Sequence, residues 1–95
     1  MQTVGTELKV KGGKLLRARI THDGAAVRKV EITGDFFMHP EEGLQSIEDS
    51  MVDMRVKTSA GEIEKLIAGV VEREGIELVG FSPSDLARLV SGALL

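Results

Sequence analysis

Val30-Glu31-Ile32-Thr33-Gly34-Asp35-Phe36-Phe37-Met38-His39-Pro40-Glu41-Glu42 is where the patterning of this chain changes. Before it, apolar residues recur every second position. After it, they recur every third or fourth. Period two marks a half-buried strand and period 3.6 an amphipathic helix. The junction itself is built from turn residues and holds Phe36 and Phe37, two of the three aromatic residues in the chain.

Upstream, Glu7–Lys11 alternates with Leu8 and Val10 on one face. Leu16, Ala18 and Ile20 alternate with Arg17 and Arg19, and Val30 and Ile32 with Lys29, Glu31 and Thr33. Gly12-Gly13 and Asp23-Gly24 supply the turn chemistry between these runs. The reading is an antiparallel three-stranded meander with one apolar face. Its solvent face carries Lys9, Lys11, Arg17, Arg19 and Lys29, with Glu7 and Glu31 among them, and cross-strand pairing is expected between Glu31 and Arg17 or Arg19.

Downstream, Pro40 is placed at the first position of a helix, where its missing N–H costs nothing. Glu41 and Glu42 then complement the positive end of the helix dipole. Leu44, Ile47, Met51 and Met54 form its stripe. Ser59-Ala60-Gly61-Glu62 has the pattern of a capping box. It opens a second helix with Ile63, Leu66, Ile67, Val70 and Val71 on the buried side and Gly75 at its stop. Ile76–Val79 reads as a link or a small edge strand. Ser82 caps the last helix and Pro83 begins it, with Leu86, Leu89, Val90, Ala93 and Leu94 inward. The fold class is α+β, a small antiparallel sheet followed by three helices on one face. Residues 1–95 are expected to form one domain.

The chain has no cysteine. That excludes disulfides, thiolate metal ligation and a sulfur nucleophile. No apolar run approaches the roughly 20 residues of a membrane span, and the first residues lack the features of a signal peptide. A cytoplasmic location is the expectation. Charge is uneven. Residues 1–33 carry seven Lys/Arg against three Asp/Glu, and residues 34–95 five against twelve, so the front is +4 and the remainder −7. The basic sheet lacks the interleaved aromatics of a single-strand stacking platform, and acidic helices argue against groove insertion, so no nucleic acid is expected.

No HExxH, GxSxG, GxxxxGK[ST] or GxGxxG motif occurs. His22 falls in a hairpin turn, and His39 sits with Asp35, Glu41 and Glu42 beside a helix start. Those carboxylates are better assigned to the helix end than to a metal. Lys11-Gly12-Gly13-Lys14 reads either as a phosphate-holding loop or as a tight hairpin with two lysines. Adjacent phenylalanines in extended backbone point to opposite sides. Either one of Phe36 and Phe37 enters the core and the other covers the sheet edge or meets a partner, or a bend in the chain packs both in the core.

Lys11-Gly12-Gly13-Lys14-Leu15-Leu16-Arg17, then Val30 to Phe37, then Pro40-Glu41-Glu42, and Gly80-Phe81-Ser82-Pro83-Ser84-Asp85 later in the chain, together resemble the accessory domain of lipoate–protein ligases. The likeness is strongest to the separate small subunit of a two-piece, archaeal-type ligase. Lys11 stands where many relatives have proline. The resemblance implies a fold related to sulfur-transfer scaffold proteins, although those use cysteine. It implies a heterodimer with a catalytic subunit that binds ATP, Mg and lipoate, with no cofactor in this chain. It implies that the complex activates lipoate with ATP to lipoyl-adenylate, releasing pyrophosphate, and then transfers the lipoyl group to a lysine of a lipoyl acceptor domain, releasing AMP. The accessory chain serves the adenylation half-reaction and supplies no catalytic residue. Gly12, Gly13, Lys14, Gly34, Asp35, Phe36 and Phe37 are the candidate contacts near the adenylate site. The alternative is a non-enzymatic scaffold or adaptor that docks a different partner.

Overall fold

A computed structural model of the chain describes residues 1–12 and 14–94. Three strands, β1 (Gln2–Lys9), β2 (Leu15–His22) and β3 (Val27–Gly34), form an antiparallel meander in the order β1-β2-β3. The first strand is shifted from its expected span, starting at Gln2 and ending at Lys9 with Val10 and Lys11 beyond it, while pairing carries β2 on to His22 and β3 back to the buried Val27. Leu16, Ala18, Ile20, Val30 and Ile32 are buried, as the alternation requires, while Arg17, Arg19 and Lys29 stay in solvent.

A second ribbon, β4 (Phe37–His39) with β5 (Glu77–Val79), joins the start of the helical half to the stretch before the last helix. Ile76–Val79 is thus resolved as Ile76 in the core followed by a short strand. This ribbon also corrects the expected start of the first helix. His39 is held opposite Glu77, so the chain turns at Pro40 before it can coil. Gly43, Leu44 and Gln45 donate their N–H groups to Pro40, Glu41 and Glu42 carbonyls, a tight three-residue spacing that leads into the helix. The helix α1 spans Gly43–Ser50, with Glu42 as its cap residue, and Pro40 and Glu41 lie in the preceding turn.

Helices α2 (Ala60–Glu74) and α3 (Pro83–Leu94) keep their expected ends. The Ser59 hydroxyl accepts the Glu62 N–H, and past Gly75 the Ile76 N–H returns to the Val71 carbonyl. At α3 the exchange is reciprocal. The Ser82 Oγ accepts the Asp85 N–H, and the Asp85 carboxylate accepts both the N–H and the hydroxyl of Ser82. Burial alone would raise the Asp85 carboxyl, but Arg88 and these Ser82 bonds hold it below its usual value.

Helix α3 lies over β1 and β2, α1 over β3, and α2 over the other two helices, so all three cover one face of the sheet. Ile47, Met51, Ile63, Ile67, Leu86, Leu89 and Val90 meet Leu16, Ile20 and Ile32 in one apolar cluster. Leu44, Met54, Leu66, Val71 and Leu94 border it half-buried. Each fully buried aliphatic side chain contributes roughly 1.5–3 kcal/mol before chain entropy is counted.

The exposed face departs from one expectation. Glu31 faces Arg19 in register, yet its carboxylate pairs with Lys29 at 3.4 Å, and Arg17 pairs with Glu7 at 3.0 Å across β1–β2. These pairs are solvent-exposed and contribute little.

Candidate functional site

Gly34 ends β3 against the first residues of β2. A Cβ placed on it would lie 2.3 Å from the Leu15 carbonyl oxygen, and its φ is +148°. Only a glycine permits this approach without displacing backbone. Directly after it, the Asp35 N–H donates to the same Leu15 oxygen at 2.9 Å. The chain is thereby turned across the end of the sheet, and this sets where the two phenylalanines go.

They part, which decides between the two readings of the sequence. Phe36 is half-buried, its ring tilted 55° against Phe81 with centroids 5.0 Å apart. Met38, two residues on, is buried in the core. Phe37 points out and is 64% exposed. It sits opposite Val79, itself 43% exposed. Apart from Met1, these are the exposed large apolar residues among those described. They are side by side on the β4–β5 ribbon.

Lys14 reaches this ribbon from the hairpin between β1 and β2, which is closed by the Val10 N–H donating to the Lys14 carbonyl at 2.8 Å. Its stem runs along Gly80, where an added Cβ would lie 3.3 Å from Lys14 Cε. Its Nζ lies 5.7 Å from the Phe37 ring centroid. A cation at this distance over an exposed ring contributes about 0.5–1 kcal/mol. The result is an apolar pair with one ammonium at its margin. A shallow hollow of about 340 Å³ beside it is lined by Phe36, Phe37, Met38, His39, Glu41 and Leu44.

The structure thus gathers Lys14, Gly34, Asp35, Phe36 and Phe37 at one end of the sheet. Gly12 lies exposed in the tip of the Lys14 hairpin. Gly13 lies outside the described residues. Sequence reasoning missed Val79 and Gly80 as parts of this surface and the buried Phe81 as the support beneath Phe36. The available signal was the alternation Ile76-Glu77-Leu78-Val79 followed by a glycine. Among the described residues, no group of three or more His, Asp or Glu side chains converges as metal ligands.

The other end of the sheet is different in kind. Asp23 Oδ1 accepts the N–H groups of Ala25 and Ala26, and Arg28 bridges Asp23 and Asp53 at 2.9 and 2.7 Å. Those backbone bonds, followed by Arg28, hold the Asp23 carboxyl far below the usual carboxylate range. A hollow of about 620 Å³ opens there, lined by the turn and by Asp53, Arg55, Val56 and Lys57.

No family model matches the chain. A curated relative, lipoate-protein ligase A subunit 2 of Thermoplasma acidophilum, is 32% identical over 79 residues, covering 81% of this chain and 76% of the relative. In the solved structure of an archaeal lipoylation system from the same organism, described as a bipartite lipoate protein ligase with its E2 lipoyl domain, one chain matches this fold with a TM-score of 0.78. That match has 25% identity and covers 94% of both chains. Among the described residues, no helix is long and apolar enough to cross a membrane. At that identity and coverage, with the fold matched over most of its length, the chain belongs to the lipoate–protein ligase A subunit 2 family.

Proposed function

We propose that this chain is the accessory subunit of a two-piece lipoate–protein ligase and acts in a heterodimer with the catalytic subunit. The catalytic subunit binds ATP, Mg and lipoate, and the accessory chain contributes no reacting group. Its role is to dock beside the adenylate site and hold the partner's loops in the arrangement that forms lipoyl-adenylate. A mixed anhydride is destroyed by water, so a second chain that closes over the site favours its formation. The complex works in the cytoplasm and reaches lipoyl acceptor domains only through its catalytic half.

The observation that carries this reading is the Phe37–Val79 pair with Lys14 beside it. An exposed aromatic fixed on a rigid strand loses little freedom on binding and is typical of an interface anchor. The Lys14 ammonium adds an electrostatic contact for a carboxylate or phosphate at the rim. Gly34 and Asp35 hold this surface in place, and Gly12 lies in the tip of the hairpin that brings Lys14 to it.

A mixing assay tests the reading. Adenylate formation by the catalytic subunit, followed as pyrophosphate release, should require this chain. Transfer from preformed lipoyl-adenylate to an acceptor domain should not. Equal adenylation with and without the chain rejects the proposal.

A further inference from the structure

The two edges of the meander are finished differently. On β3, the Ile32 N–H donates to the Glu48 carboxylate at 2.7 Å, the Val27 N–H to the Met54 carbonyl, and the Val27 carbonyl accepts the Asp53 N–H. Helix α1 and the segment after it therefore close that edge. On β1 the register shows which groups point outward. Val10 donates to Lys14 across the hairpin, so in steps of two Leu8, Thr6 and Val4 turn their polar groups toward β2. The outward N–H of Ile32 and the Asp35-to-Leu15 bond require the same parity on the other side of β2. The N–H and C=O groups of Thr3, Gly5, Glu7 and Lys9 consequently point away from the sheet. Among the described residues, no hydrogen bond takes them up.

We infer that β1 is a strand-addition site for an extended, acidic segment of the ligase's catalytic subunit, an inference that rests on the function proposed above. An open edge of this length is a template for a partner strand. Its two faces specify the occupant. Toward the helices, Val4, Thr6 and Leu8 are only half-buried, so inward side chains of an added strand would be apolar and complete that cover. Toward solvent β1 presents Glu7, already paired with Arg17, and Lys9, and Arg19 lies one strand further in, so an acidic outward side chain of the added strand would meet Lys9 and reach toward Arg19. A second copy fits poorly, because residues 1–33 of each copy carry +4 and pairing β1 with β1 would bring these segments together. The Lys9 end of β1 runs into the Lys14 hairpin, so one partner can follow this edge and the Phe37 surface together.

Amide hydrogen exchange, resolved by residue with and without the catalytic subunit, tests the inference. In the isolated chain Val4, Thr6 and Leu8 should exchange slowly and Thr3, Gly5, Glu7 and Lys9 fast. In the complex the second group should slow by about tenfold or more. A Gly5→Pro substitution removes one outward donor at an edge position where proline is tolerated, and a Cβ there meets only the Ala18 oxygen at 4.0 Å. It should leave circular dichroism and melting unchanged and raise the Kd for the catalytic subunit about threefold to tenfold. Unchanged exchange at those amides in a complex that still forms adenylate overturns the inference and spares the proposed function. Two chains that do not associate overturn both. Concentration-dependent dimerisation of the isolated chain through β1 rejects the choice of occupant.

Discussion

The two ends of the sheet use similar materials to opposite effect. At the Asp23–Ala26 turn, a carboxylate takes two backbone N–H groups and an arginine, and that arginine reaches on to Asp53. Polar groups there satisfy one another. At the Gly34–Phe37 end, the backbone is pinned just as firmly, by the Leu15 oxygen, but the pinning drives Phe37 outward beside Val79. One end is closed by its own bonds. The other uses a rigid backbone to present apolar surface, and in a chain this small apolar surface left exposed is stability forgone unless a partner covers it.

The largest expected effect separates the ends by their glycines. Gly24 has φ +91° with open space around its missing Cβ, whereas Gly34 combines φ +148° with a backbone oxygen 2.3 Å away. Gly24→Ala should cost about 1 kcal/mol, from conformational strain alone. Gly34→Ala should cost about 3 kcal/mol or more, because the β2 backbone has to move as well. Chemical denaturation of both variants measures the difference. Equal costs would mean that the Leu15–Gly34 approach is not tight.

The next pair divides packing from presentation within the open end. Phe36→Ala removes the ring against Phe81 and should destabilise by about 2–3 kcal/mol. Phe37→Ala removes the ring under the Lys14 ammonium and should change stability by only about 1 kcal/mol or less, yet weaken binding to the catalytic subunit by about tenfold or more. Thermal melts and a titration with the catalytic subunit read the two quantities separately. A Phe37→Ala chain that binds normally would show that this surface is not the docking face.

Much of this contrast was legible in the residues. Strict alternation in Leu16–Ile20 and Val30–Ile32 defined the buried face of the sheet, because a one-residue slip would expose every core side chain. Ser59, Gly75, Ser82 and Pro83 marked helix ends through local hydrogen bonding that needs no distant partner. Opposite facing of Phe36 and Phe37 is what extended backbone gives, against a bend that would have packed both. What the sequence did not disclose depends on contacts far along the chain. The β4–β5 ribbon joins Phe37–His39 to Glu77–Val79, and three-residue strands carry too little pattern to show their pairing. That ribbon moved the start of α1 from Pro40 to Gly43. It also brought Val79, Gly80 and Phe81 to the site. Glu31 chose Lys29 over the arginine opposite because exposed lysine and arginine side chains differ little in energy between such partners.

The smallest expected effect probes the closed end through pH. Asp23 has its carboxyl depressed by the Ala26 and Ala25 N–H groups and then by Arg28, and Arg28 is raised in turn, first by Asp23. A carboxyl lowered in the folded chain contributes stability above its unfolded value of about 3.9 and loses that contribution as pH falls toward the folded value. Asp23→Asn keeps the shape of the turn and one acceptor oxygen but removes the charge. The variant should melt below the parent at neutral pH, and the gap should narrow as pH falls below about 4. Phe37→Ala, at the open end, should keep a constant offset from the parent across the same range, since among the described residues no carboxylate there is held by an ion pair or hydrogen bond. Melting temperatures from pH 7 to pH 2 for the three chains give the comparison. A constant gap between Asp23→Asn and the parent would mean that the turn is held by its shape, with the charge of Asp23 contributing nothing.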